Sequence, residues 1–131
     1  MKSNESSSIL DRFQSNEPEE TVYQSDGDYK AYSVSRHAVS LNCILRSGNQ
    51  IGISWSLYSD ARYDPSEGIV IEFSHKLVKI QGSYLLTLYQ YILGNRITFI
   101  AEADHATEML KLDEQEPVIS KLIVEKRATD H

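Results

Sequence analysis

Beyond residue 28, apolar and polar residues alternate along most of the chain, as they do in β-strands with one buried face. Leu41, Cys43 and Leu45 alternate with Asn42, Ile44 and Arg46. Ile51, Ile53, Trp55 and Leu57 alternate with Gly52, Ser54, Ser56 and Tyr58. Ser47-Gly48-Asn49 separates the two runs, and glycine and asparagine accept the positive φ of a tight turn with little strain. The pair reads as an antiparallel hairpin. Ser59 to Gly68 reads as a long polar connection, in which Asp64-Pro65 begins a turn that Gly68 closes. Ile69, Ile71 and Phe73, a Ser74-His75-Lys76 turn, then Val78 and Ile80 predict a second hairpin. An earlier strand is expected around Lys30–Ser35.

After Gly82 the period lengthens. Leu85, Leu88, Tyr89 and Ile92 fall at i, i+3, i+4 and i+7, one face of an amphipathic helix. The spacing predicts a helix over 83–93, with Ser83 as its N-cap and Gly94-Asn95 as its stop. Ile97 and Phe99 begin another strand. Residues 103–116, charged around Met109, Leu110 and Leu112, read as a loop with a short helical turn. In 117–126, Pro117 suits the first position of a helix, but the β-branched Val118, Ile119, Ile123 and Val124 favour a strand. Ser120 breaks the alternation there. The fold class expected is mainly β (α+β): a small antiparallel meander or half-barrel of roughly five to seven short strands with one helix packed on it.

Charge changes the picture at the N-terminus. Residues 1–28 hold two basic and seven acidic side chains, a net of −5, out of −6 for all 131 residues. This Ser/Glu/Asp-rich stretch has few apolar groups to offset its ordering entropy, so it reads as a disordered acidic tail. Its one apolar cluster, Ile9-Leu10-Asp11-Arg12-Phe13, suits docking into a groove on a partner as a short helix, and the tail as a whole suits an autoinhibitory or DNA-mimicking arm. Residues 29–126 then form a single small β domain, and 127–131 a frayed end. The polar first residues contain no signal-peptide core, and no apolar run is long enough to span a bilayer. A lone cysteine, Cys43, excludes an internal disulfide and fits a reducing, cytoplasmic setting.

Catalytic and cofactor patterns are hard to find. His37, His75, His105 and His131 lie far apart in sequence, and one cysteine cannot supply a zinc cluster. Asp60, Asp64 and Glu67 invite comparison with a calcium loop, but Arg62 and Pro65 occupy positions that such a loop gives to a ligand and a glycine. Cys43 is six residues from His37, yet Leu41 and Leu45 share its strand face, which predicts burial. The six glycines are too dispersed to cradle a phosphate, and no Gly-x-Ser-x-Gly elbow occurs. No cofactor, metal or catalytic residue is assigned.

Tyrosine is abundant, with eight residues, and with Trp55 it gathers mainly at 55–63 and 84–91. Tyrosine, tryptophan and arginine carry much of the energy of protein interfaces. Trp55, Tyr58, Arg62 and Tyr63 are accordingly the candidate partner-binding residues. The function expected is a non-enzymatic binding or assembly module, acting through protein–protein contacts or self-association of its β surface and the 55–63 loop. A single-strand nucleic-acid binder, using those rings with Lys76 and Lys79, is disfavoured by the acidic balance. A small enzyme with an unrecognised site is the third reading.

Overall fold

The computed structural model describes residues 29–111 and 114–128. The acidic segment 1–28, with its Ile9–Phe13 cluster, lies outside the described residues.

The described chain is mainly β, with eight strands in two open four-stranded sheets and two helices. The strands are β1 (Tyr32–Val34), β2 (Ser40–Ile44), β3 (Gln50–Ser54), β4 (Tyr58–Asp64), β5 (Gly68–Phe73), β6 (Lys76–Ser83), β7 (Ile97–Ala101) and β8 (Val118–Lys126). Helix α1 (Leu86–Leu93) follows β6, and α2 (His105–Lys111) follows β7. The first sheet has the order β1-β7-β2-β3 and the second β4-β5-β6-β8. One core joins them, built from Leu41, Cys43, Ile53 and Ile100 of the first and Ile69, Ile71, Phe73, Val78 and Ile80 of the second.

Both expected hairpins form. In the first, Leu41 pairs with Ile53 and Cys43 with Ile51, and the turn closes where the Leu45 amide donates to the Asn49 carbonyl at 2.8 Å. In the second, Ile71 pairs with Val78 and Ile69 with Ile80. Residues 118–126 are a strand, as their β-branched side chains imply. Ser120 interrupts the alternation because it sits in a bulge: Lys121 pairs with Gln81, but Ile119 pairs with Gly82.

Several expectations are corrected. Trp55–Leu57 is not strand but a 3-10 turn, which carries the chain from one sheet to the other. Its start is held by the Ser54 hydroxyl, which accepts from the Ser56 amide. The expected loop from 59 is largely strand β4, with only 65–67 left as turn. Its alternation is concealed because Ser59 is an extra residue between the Tyr58–Phe73 and Asp60–Glu72 pairs. The inward set therefore changes phase, from Tyr58 to Ala61 and Tyr63. β2 and β7 run parallel, with Cys43 opposite Ile100, so the first sheet is mixed rather than wholly antiparallel.

The helix stripe of Leu85, Leu88 and Ile92 is buried as expected, but α1 starts at Leu86. Ser83 remains in β6 opposite Val118, and the N-cap is Leu85, without a side-chain hydrogen bond. At the other end Asn95 takes the left-handed conformation (φ 62°), while Gly94 stays at φ −89°. A second helix, α2, forms where a single turn was expected, capped by the Asp104 carboxylate on the Thr107 amide at 2.7 Å. That bond holds the Asp104 carboxyl below its ordinary range. Arg127 lies past the expected end of the domain, yet its guanidinium donates to the Phe73 carbonyl at 2.9 Å.

Polar bonds, those of Tyr29 buried, knit the two sheets at one seam. The Tyr29 hydroxyl donates to the Ala101 carbonyl at 2.7 Å and accepts from the Ile119 amide at 3.0 Å. Glu102 accepts from the backbone amides of Arg46 and Leu122. Tyr29→Phe leaves one carbonyl and one amide buried without a partner, and a group so stranded costs ~1–3 kcal/mol. The variant is expected to lose about 3 kcal/mol in urea unfolding at an unchanged m-value.

Candidate functional site

The residues singled out from the sequence are brought together, but mostly inside the fold. Trp55 is only 4% exposed, and its indole N–H donates to the Ile97 carbonyl at 2.9 Å. Tyr58 is half-buried, edge-on to Trp55 with 5.4 Å between ring centroids, and burial raises its pKa. Tyr63 stacks on Tyr89 of α1 at 5.7 Å. Arg62 alone of the four extends into solvent, with two thirds of its side chain exposed (67%) and a 2.8 Å ion pair to Glu72. Three rings of this set are therefore engaged in packing strand β4 onto the 3-10 turn, the second sheet and α1. Cys43 is fully buried, and burial pushes its thiol up to about 12, which makes it a poor nucleophile.

A different set of residues borders a cleft of about 490 Å³. Its walls are the β4–β5 turn (Pro65 to Gly68), the end of β6 with Tyr84, helix α2, and the start of β8 at Val118 and Ser120. Each wall has a local cause. Asp64 accepts from the Ser66 amide and hydroxyl, both at 2.7 Å, which folds the turn and holds the Asp64 carboxyl below its usual range. Tyr84 ends β6 abruptly at φ 58°, a left-handed conformation that tyrosine rarely adopts.

Arg46 positions α2. Its Nε donates to the Ala103 carbonyl at 2.8 Å, and its Nη2 donates to the Ser120 carbonyl at 2.9 Å. Its Nη1 lies 3.2 Å from His105 Nε2. A guanidinium has no acceptor, so His105 Nε2 accepts and Nδ1–H faces Glu108 Oε1 at 3.2 Å. At the C-terminal end of α2, Lys111 is bonded to Glu116 and then Glu114, which raise its pKa. The His105–Glu108 pair resembles half of a catalytic relay, but the nitrogen that would take a proton is occupied by Arg46.

The cleft's distinctive chemistry is apolar surface left in water. Tyr84 is 55% exposed and Met109 is 69% exposed, and both border the same hollow. A concavity of this size is within the range of ligand sites, and methionine and tyrosine adapt well to a partner's side chains. Neither was among the partner-binding candidates, although Tyr84 belongs to the 84–91 tyrosine group. The available signal was Met109 and Leu110, two apolar residues in a charged segment that no predicted stripe absorbs, and an aromatic at the point where strand period gives way to helix period. Among the described residues no group of three or more histidine, cysteine, aspartate or glutamate side chains could hold a metal ion. No described helix is long and apolar enough to cross a membrane.

These features define the class: a small two-sheet α+β domain with an open, mixed-polarity cleft at one seam. No family model matches the chain, and no curated protein or solved structure matches it either.

Strain at Tyr84 is directly measurable. A non-glycine residue in this conformation costs ~1–3 kcal/mol, which glycine avoids. Tyr84→Gly gives up little packing, because the ring is more than half exposed. It is expected to raise stability by about 1 kcal/mol, or about 5 °C in melting temperature for a domain of this size. An unchanged or lowered melting temperature shows that the tyrosine ring stabilises the fold and relieves its own strain.

Proposed function

We propose that the chain is a non-enzymatic protein-binding module that receives a short peptide segment of its partner in this cleft, in a reducing, cytoplasmic setting. The observation that carries the reading is the pairing of two exposed apolar side chains, Tyr84 and Met109, on one concavity whose backbone is strained at Tyr84. Strain of this kind clusters at functional sites because the surrounding fold must hold it in place. The binding surface lies at the cleft rather than at 55–63, since the rings of Trp55, Tyr58 and Tyr63 are already packed within the fold. Two of the cations that a nucleic-acid site on the second sheet would use are also paired, Arg62 with Glu72 and Lys79 with Glu125.

Selection of peptides from a random library against the full chain tests the reading. Selected peptides are expected to shift the amide resonances of 66–68, 82–84 and 105–111. Met109→Lys is expected to weaken them at least tenfold, which is about 1.4 kcal/mol. Its stability should stay within about 0.5 kcal/mol, because the side chain is largely exposed. Peptides that map instead to Arg62 and Lys79, or a library that yields none, overturn the assignment.

A further inference from the structure

We propose that the cleft is occupied in the free protein by the chain's own N-terminal segment, with Ile9, Leu10 and Phe13 seated against Tyr84 and Met109. The segment would then act as a tethered competitor of the partner peptide. This rests on the reading of the cleft as a peptide site.

The first argument is where the described chain begins. Tyr29 is buried at the seam, and its hydroxyl accepts from the amide of Ile119. Ile119 lies between Val118 and Ser120, which are both cleft wall. The described chain thus begins about one tyrosine side chain away from the wall of the hollow.

Reach is the second argument. Fifteen residues lie between Phe13 and Tyr29. At ~3.3 Å per residue they span up to about 50 Å, several times the ~13 Å radius of gyration of a 100-residue domain. A tether of this length gives an effective concentration of ~1 mM. An intrinsic affinity of ~100 μM is then enough for roughly 90% occupancy, so even a weak contact closes the site.

Composition is the third. Ile9, Leu10 and Phe13 form the densest apolar cluster of residues 1–28, and the cleft offers apolar Tyr84, Met109 and Val118. Between them Asp11 and Arg12 carry both signs of charge. The cleft does so too, with Lys111 against Glu67 and Glu108.

The buried thiol of Cys43 makes the test practical, because an introduced cysteine can be labelled selectively. A nitroxide on Ser15→Cys in the full chain is expected to broaden the amides of 66–68, 82–84 and 105–111, independently of protein concentration. The double variant Leu10→Asp/Phe13→Asp should abolish that broadening. It should also bind a library-selected peptide about tenfold more tightly, the change that release of a site occupied roughly 90% of the time requires. Broadening that fades on dilution identifies a second copy as the occupant and overturns the proposal. Equal peptide affinity in both chains, with no local broadening, also overturns it while leaving the peptide site intact. No peptide binding and no broadening in either chain removes both readings.

Discussion

Trp55→Ala is expected to unfold the domain more readily by about 4 kcal/mol, the range found when a large buried aromatic is truncated. Two losses combine. The indole packs at 5.4 to 5.6 Å from the rings of Tyr58 and Phe73, so its removal opens a cavity where the first sheet hands the chain to the second. Its N–H also satisfies the Ile97 carbonyl, which becomes a buried acceptor without a donor. Arg62→Ala is the matched control. Arg62 lies on the same stretch of sequence, but its ion pair with Glu72 is exposed, and such pairs contribute ~0–1 kcal/mol. Chemical denaturation of the two variants should therefore separate them by about 3 kcal/mol or more. A small loss in Trp55→Ala places the tryptophan at a surface after all and returns 55–63 to consideration as an interface.

That contrast shows what the chain's pattern could and could not convey. Period two located both hairpins because Leu41, Cys43, Ile69 and Ile71 are buried while Asn42, Val70 and Glu72 between or beside them are only half-buried. Period 3.6 located α1 for the same reason. Strand β4 stayed hidden because the bulge at Ser59 shifts its inward phase, and because an edge strand carries charges such as Asp60, Arg62 and Asp64 in place of apolar residues. The 3-10 turn was read as strand because Trp55 continues the alternation, although Leu57 already points outward. The cleft was illegible for a different reason. Its walls come from residues 65–68, 82–84, 105–111 and 118–120, and the pairing of β5 with β6, that of β6 with β8 and the grip of Arg46 on Ala103 and Ser120 bring them together. Aromatic density in sequence pointed to 55–63 and 84–91 alike, but in the fold the rings of Trp55, Tyr58, Tyr63 and Tyr89 pack on one another, while Tyr84 and Met109 are left largely exposed.

Gly68→Ala is expected to be comparably severe, at about 4 kcal/mol, for a reason lodged in the backbone. Gly68 closes the Asp64–Gly68 turn with φ 98°, a conformation that an L side chain adopts only under strain of ~1–3 kcal/mol. A Cβ there would in addition collide with the Ile80 carbonyl of the neighbouring strand β6. The struck atom is main chain, so the collision cannot be relieved by a rotamer change and adds the ~1–3 kcal/mol typical of overpacking. The strand must move away from its partner or the turn must open, and either movement displaces the cleft wall formed by 65–68. The predicted signature is thus double: a lowered denaturation midpoint, and weaker binding of a selected peptide at temperatures where the variant is still folded. Gly48→Ala provides the comparison. Gly48 has the same φ of 98°, but a Cβ there meets nothing within 4 Å, so only the strain remains and the loss should be near 1 to 2 kcal/mol, roughly. Equal losses at the two glycines refute the steric contact between turn and β6, and with it the account of why this wall of the cleft is rigid.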